Sequence, residues 1–165
     1  MTRDIDFAEI RPERIEDAPA VRALLLEAFD TPAEADLVEA LRAGDDIALG
    51  LVAVAQDGLA GFVAFSRARL DGRPALALAP VAVSRDRRIE GVGSRLVRAG
   101  LRALEGAFVG QVVVLGDPLW YDRFGFLPAP DPVNRWAGPH MMALAVGAAE
   151  PARGTLVYPS AFDAL

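Results

Sequence analysis

The chain has 165 residues, the length of one domain, and 53% of them are hydrophobic with a mean hydropathy of +0.27, which is ample for a single buried core. A formal net charge of −6 argues against nucleic acid as the main partner, no apolar run approaches the ~20 residues of a membrane span, and Met1-Thr2-Arg3-Asp4 begins no signal peptide. The absence of cysteine removes disulfides, thiolate metal sites and a thiol nucleophile together, and the expected location is the cytoplasm.

Phe7 to Ile10, ahead of Arg11-Pro12, read as a short first strand that ends at the proline. Ile15, Ala18, Val21, Leu24, Leu25, Ala28 and Phe29 recur at helical spacing, with Asp17 near the start of that helix. Thr31-Pro32-Ala33-Glu34 matches a capping box with Thr31 at the N-cap, and Leu37, Val38 and Leu41 give the second helix its apolar face before Gly44 stops it.

From Ile47 the period changes to two. Residues 48–56 and 59–69 read as strands joined at Asp57-Gly58, and Asp71-Gly72 leads to a further strand that ends at Val83, so the three form an antiparallel meander. A helix is expected from about Val92 to Leu104, then a buried strand at Gln111 to Leu115, and a short helix from Pro118 that Gly125 closes. Phe126 to Pro139 holds four prolines and reads as a loop bordering the active site, and Met141 to Val146 and Thr155 to Tyr158 as the last strands. This order of elements predicts an α+β or mixed three-layer domain spanning residues 1–165.

The hand-over from strand to helix at Arg88-Ile89-Glu90-Gly91-Val92-Gly93-Ser94 is the most informative stretch. Glycines there let backbone N–H groups approach a ligand, and the first helical turn offers unpaired donors and a positive dipole end to an anion. Arg85, Arg87 and Arg88 add charge beside it. The stretch lacks the Gly-Lys-Ser/Thr ending of a nucleoside-triphosphate loop and the first glycine of a dinucleotide fingerprint. One histidine and scattered carboxylates do not support a metal site, and no Gly-x-Ser-x-Gly element supports a serine hydrolase.

The stretch resembles the Arg/Gln-x-x-Gly-x-Gly/Ala signature of the GNAT superfamily of N-acetyltransferases. Further along, Leu115-Gly116-Asp117-Pro118-Leu119-Trp120-Tyr121-Asp122-Arg123-Phe124-Gly125-Phe126 resembles the Gly-Asp-Pro-x-Tyr-Tyr-x-Arg-Phe-Gly-Phe segment of the YhbS-like branch of that superfamily. The resemblance extends to Glu34–Arg42 and to Val157–Phe162, and so over most of the chain.

The resemblance implies a central twisted sheet, mostly antiparallel and splayed between its fourth and fifth strands, with acetyl-CoA in the wedge. It assigns Val81, Ala82 and Val83 to the pantetheine arm, and the main-chain amides of Arg88, Ile89, Glu90, Gly91, Val92, Gly93 and Ser94 to the pyrophosphate. Tyr121 falls where the family often places the group that protonates the departing thiolate, and a phenol with pKa near ~10 keeps its proton at neutral pH. Trp120 replaces the usual second tyrosine and reads as packing.

The implied reaction is direct attack of an amine on the thioester in a ternary complex. Its general base is unassigned: no carboxylate occurs between Ala75 and Val83, where many relatives place one, and His140 is the only histidine. The implied partners are acetyl-CoA, an amine acceptor and a possible homodimer, without nucleic acid, membrane or metal. The missing strand carboxylate motivates an alternative, a non-catalytic acyl-CoA-binding or interaction domain that kept the fold.

Overall fold

The computed structural model describes residues 9–165, so Phe7 and Ala8 of the expected first strand lie outside the described residues. The described elements are strand β1 (Glu9–Pro12), helices α1 (Ala18–Ala28) and α2 (Ala33–Ala43), strands β2 (Ile47–Ala55), β3 (Gly58–Leu70) and β4 (Arg73–Val83), and helix α3 (Val92–Leu104). They continue with β5 (Gly110–Leu115), the one-turn α4 (Pro118–Tyr121), β6 (Leu127–Pro128), β7 (Pro132–Val133), β8 (Met141–Val146) and β9 (Gly154–Val157). Strand order in the sheet is β1-β2-β3-β4-β5-β8-β6, with β9 joined to the end of β3 and β7 paired to β9. All main-sheet pairs are antiparallel except β4 with β5.

The sheet lies between two helical layers, as the mixed three-layer expectation requires. Val63 and Phe65 of β3 pack toward Leu96 and Val97 of α3, while the alternating Phe62 and Ala64 pack toward Val21, Leu25 and Val38 of α1 and α2. A strand covered on both faces has no reason to alternate in polarity, and Gly61 through Ser66 are indeed all buried. On α3, Leu96, Val97, Gly100 and Leu104 are buried while Arg98 and Arg102 face out, which is the apolar stripe that holds the helix on the sheet.

Three local details depart from the expectations. Strand β1 runs through Pro12, which pairs with Leu51; β1 is an edge strand, where a missing N–H is tolerated. Asp17 sits in a turn of 3-10 helix ahead of α1, where its carboxylate accepts from the Arg14 N–H at 2.7 Å and takes both arms of Arg11, at 2.7 and 2.9 Å. The capping box on α2 does not form as written. Thr31 Oγ accepts from the Ala33 N–H at 3.4 Å with Pro32 at the N-cap, and Glu34 Oε2 accepts no hydrogen bond. Within the proline-rich segment, β6 and β7 are two-residue pairings on otherwise irregular chain.

One irregularity places the site. Strands β4 and β5 pair only at Ala75–Gln111, Leu76–Val112 and Ala77–Val113, and past these residues they carry no mutual register. In the same region β4 bulges against β3, four residues from Leu78 to Val81 opposing three from Phe65 to Val63, and Pro80 within the bulge has no N–H to give. The sheet therefore opens into a wedge whose β4 edge, from Leu78 to Val83, faces no strand.

Candidate active site

Two clefts meet in the wedge. The first, of about 510 Å³, is walled by the end of β4 (Val81, Ala82, Val83), the loop that opens α3 (Arg88, Ile89, Gly91, Gly93, Ser94), the C-terminal end of α1, and Trp120, Tyr121 and Arg123. The second, of about 400 Å³, runs from Leu78, Ala79 and Pro80 to the proline-rich segment and the C-terminal aromatics. Phe29, Val81 and Tyr121 line both.

The loop is built for backbone donation. Gly91 is the N-cap of α3 at φ +74°, a left-handed conformation that a side chain resists, and the first i to i−4 bond of the helix is Arg95 N–H to Gly91 O at 3.1 Å. The N–H groups of Val92, Gly93 and Ser94 therefore precede the helical ladder and are directed along its positive end. A Cβ on Gly93 would stand 3.3 Å from Val83 Cγ2 and 3.5 Å from Trp120 Cζ2, so this glycine lets the helix start, the end of β4 and the indole share one wall.

The three arginines expected to add charge beside the loop are largely engaged with other partners. Arg85 Nε donates to Glu27 O at 2.7 Å and its N–H to Glu27 Oε1 at 3.0 Å, and Arg88 Nη2 donates to Ala28 O at 2.7 Å. These bonds satisfy carbonyls at the C-terminal end of α1 and clamp the loop to it. Arg87 pairs with Asp57 at 2.9 Å and with Glu90 at 3.3 Å. Of the residues expected at the cosubstrate, Val81, Ala82, Val83, Arg88, Ile89, Gly91, Gly93, Ser94 and Tyr121 line the first cleft. Glu90 points instead to Arg87, and the Val92 side chain is buried in the core, leaving only its backbone at the loop.

Tyr121 is held by its own motif. Asp117 caps α4 by accepting from the Leu119 N–H at 2.9 Å, and Pro118 takes the first helical position. The Tyr121 ring stands edge-on to Trp120 at 4.8 Å and to Phe126 at 5.7 Å, and it lies so close to Gly116 that a Cβ there would meet Cε2 at 2.5 Å. Burial pushes the phenol up to about 12. Trp120 packs on Gly93 as well as on Tyr121, in keeping with the packing expectation, and Arg123 stands 5.5 Å from its ring centroid as a cationic wall that the sequence did not single out.

The second cleft is assembled from segments far apart in sequence: Glu34 and Leu37 of α2, Trp136 of the proline-rich segment, and Tyr158 and Phe162 near the end of the chain. Trp136 and Tyr158 meet edge-on at 4.9 Å, Tyr158 and Phe162 lie 5.0 Å apart, and Arg135 covers one face of Trp136 at 4.0 Å while donating to Phe162 O. Burial pushes the Tyr158 phenol up to about 12, with the Arg135 charge opposing. His140 is exposed and lines neither cleft. Among the described residues no three of His, Cys, Asp and Glu gather as metal ligands, and no helix is long and apolar enough to cross a membrane.

No family model matches the chain. Over 134 residues it is 42% identical to the N-acetyltransferase YhbS of Escherichia coli strain K12, covering 78% of this chain and 80% of that protein. It is 36% identical over 118 residues to the N-acetyltransferase YjhQ of the same strain, covering 68% of this chain and 65% of that one. The crystal structure of the Escherichia coli GNAT family N-acetyltransferase YhbS in complex with CoA superposes with a TM-score of 0.89 at 35% identity, covering 99% of this chain and 96% of that one. A GNAT family acetyltransferase from Brucella melitensis in complex with acetyl-CoA gives 0.81 at 34% identity, covering 96% and 99%. With its splayed mixed sheet and these relatives, the chain belongs to the GNAT family of N-acetyltransferases, acyltransferases whose cosubstrate is acetyl-CoA.

Proposed function

We propose that the chain transfers the acetyl group of acetyl-CoA to an amine by direct attack in a ternary complex, with the thioester lying at Tyr121. The observation that carries this reading is the position of Tyr121 in the wall shared by the two clefts, where cosubstrate and acceptor would meet. Support for the cosubstrate's path comes from the unpaired β4 edge at Val81 to Val83, which suits the amides of a pantetheine arm as a strand would. The N–H groups of Val92, Gly93 and Ser94 suit its pyrophosphate.

In this reading the amine nitrogen attacks the thioester carbonyl, the tetrahedral intermediate collapses, and the C–S bond breaks to leave a thiolate. A thiol has pKa of about 8.5, so outright proton transfer from a phenol at about 12 is uphill. Tyr121 therefore holds a hydrogen bond on sulfur as charge develops there, and the proton that finally completes CoA–SH comes from the acylated nitrogen, relayed through the phenol. Losing one charge-assisted hydrogen bond at roughly 1.5–3 kcal/mol corresponds to roughly 10- to 100-fold in rate.

The test is thiol release from acetyl-CoA against a panel of amines, for wild type and Tyr121→Phe. Amine-dependent release that falls 10- to 100-fold in the variant, with unchanged acetyl-CoA affinity, supports the assignment; equal rates on a good acceptor would sink the role of Tyr121. Amine-independent binding without turnover would favour the non-catalytic alternative, which shares the first cleft. The cytoplasmic expectation rests on the absence of cysteine and on the use of acetyl-CoA.

A further inference from the structure

The second cleft holds an unexplained group. Glu34 Oε2 is shut off from solvent and accepts no hydrogen bond from any described residue. A buried carboxylate oxygen without a donor is costly, and such an orphan in a native structure marks strain, a catalytic role or a donor supplied from outside the chain. The nearby acids on the same helix are accounted for: Asp36 and Glu39 are exposed and pair with Arg22 of α1 at 3.2 and 3.1 Å. Glu34 is the only charged side chain among those lining the second cleft, and Tyr121 lines it too.

We infer that Glu34 receives the nitrogen of the acceptor and takes its proton as the N–C bond forms, and that the acceptor is a primary amine on an apolar body with no second charge near the nitrogen. The inference rests on the reaction proposed above and deepens it. The remaining walls, Leu37, Trp136, Tyr158, Phe162 and Leu78, are aromatic or aliphatic, so an apolar body is desolvated at no polar cost. A carboxylate in the same cleft would lie beside Glu34 with no cationic side chain to meet it, and a second ammonium would find no carboxylate side chain other than Glu34.

The proton balance closes. The free-amine form of the acceptor attacks the thioester, and as the N–C bond forms the nitrogen becomes acidic enough to give one proton to the Glu34 carboxylate. The C–S bond then breaks, and that proton passes from Glu34 to the thiolate by way of Tyr121, which restores the carboxylate. The ionisable groups lining the cleft with Glu34 are the phenols of Tyr121 and Tyr158, both pushed up to about 12 and so neutral near pH 7, and the chain-end carboxylate of Leu165. The guanidinium of Arg135 is turned onto Trp136 and the Phe162 carbonyl.

The test uses 2-phenylethylamine, 1,3-diaminopropane and L-phenylalanine as acceptors, with Glu34→Gln, Glu34→Asp and wild type. Thiol release is followed as a function of pH, and acetyl-CoA binding is followed by calorimetry. Wild type is expected to favour 2-phenylethylamine by at least tenfold in kcat/KM over the diamine and the amino acid. Glu34→Gln should lose at least a hundredfold in kcat, with a raised KM for the amine and a profile that keeps rising with pH as free amine accumulates; Glu34→Asp should recover part of the rate. Acetyl-CoA affinity should be equal in all three, because Glu34 lies outside the first cleft. A Glu34→Gln enzyme with wild-type kcat, KM and pH profile overturns the role of Glu34, and preference for the diamine or the amino acid overturns the acceptor class. Failure of wild type to bind acetyl-CoA would instead strike the underlying reaction.

Discussion

Gly116→Ala tests the placement of Tyr121 without touching its hydroxyl. The added Cβ would lie 2.5 Å from Tyr121 Cε2 and 3.0 Å from Cδ2, whereas carbon contacts settle at about 3.5–4.0 Å, so the ring must move by about 1 Å. It cannot swing freely, since Trp120 and Phe126 abut it edge-on. Such overpacking costs about 1–3 kcal/mol of stability, and a misplacement of about 1 Å at a reacting centre costs roughly 100-fold in rate. The residue is in a conformation open to alanine, so backbone strain does not confuse the result. The assay is thiol release for Gly116→Ala, Tyr121→Phe and the double variant, with melting curves alongside. If Gly116 acts through the phenol, the double variant is no slower than the slower single one, because the hydroxyl is already gone. Additive losses, or a wild-type rate in a folded Gly116→Ala, would refute the reasoning.

Two further outcomes are expected. Gly93→Val pushes methyl groups against Val83 and Trp120 at the mouth of the first cleft and should weaken acetyl-CoA binding more than tenfold by calorimetry, while a folded protein persists in the melting curve. Asp17, held at about 2 chiefly by its hydrogen bonds to Arg11, contributes stability that is complete above the unfolded carboxylate value of about 4 and is lost as pH falls toward 2. Asp17→Asn should therefore cost about 1 kcal/mol at pH 7, discounted for its partial exposure, and nothing measurable near pH 2, as read from urea melts across that range.

What the sequence disclosed was whatever local chemistry dictates. Helix α3 is bounded as expected because a left-handed glycine precedes a strong apolar stripe, and the strand breaks at Asp57-Gly58 and Asp71-Gly72 follow from turn preferences. Tyr121 was legible because Gly116, Asp117 and Pro118 set it within one short motif. Glu34 was not, because Thr-Pro-Ala-Glu reads as a cap and only the packing of α2 against the wedge shows one carboxylate oxygen buried in the cleft wall without a donor. The same holds for Trp136, Tyr158 and Phe162, which meet across more than twenty residues with no shared period. Arg85 and Arg88 were read only as charge beside the loop, and their role as clamps onto α1 was hidden because their carbonyl partners lie about sixty positions earlier, beyond any local pattern.

The interrupted pairing of β4 and β5 has a consequence for the protein as an object to be kept folded. From Leu78 to Val83 a central strand exposes backbone groups that any other sheet would have saturated, so the free protein carries an internal template awaiting an extended chain. On the proposed reading, a pantetheine arm laid there would act as the missing strand and seal the gap. Because a ligand bound only by the folded form adds RT ln(1 + [L]/Kd), or about 2.7 kcal/mol at a hundredfold excess over Kd, the lifetime of this protein against heat and proteases should follow the supply of acetyl-CoA. Cells short of acetyl groups would then hold fewer intact copies of the catalyst that spends them.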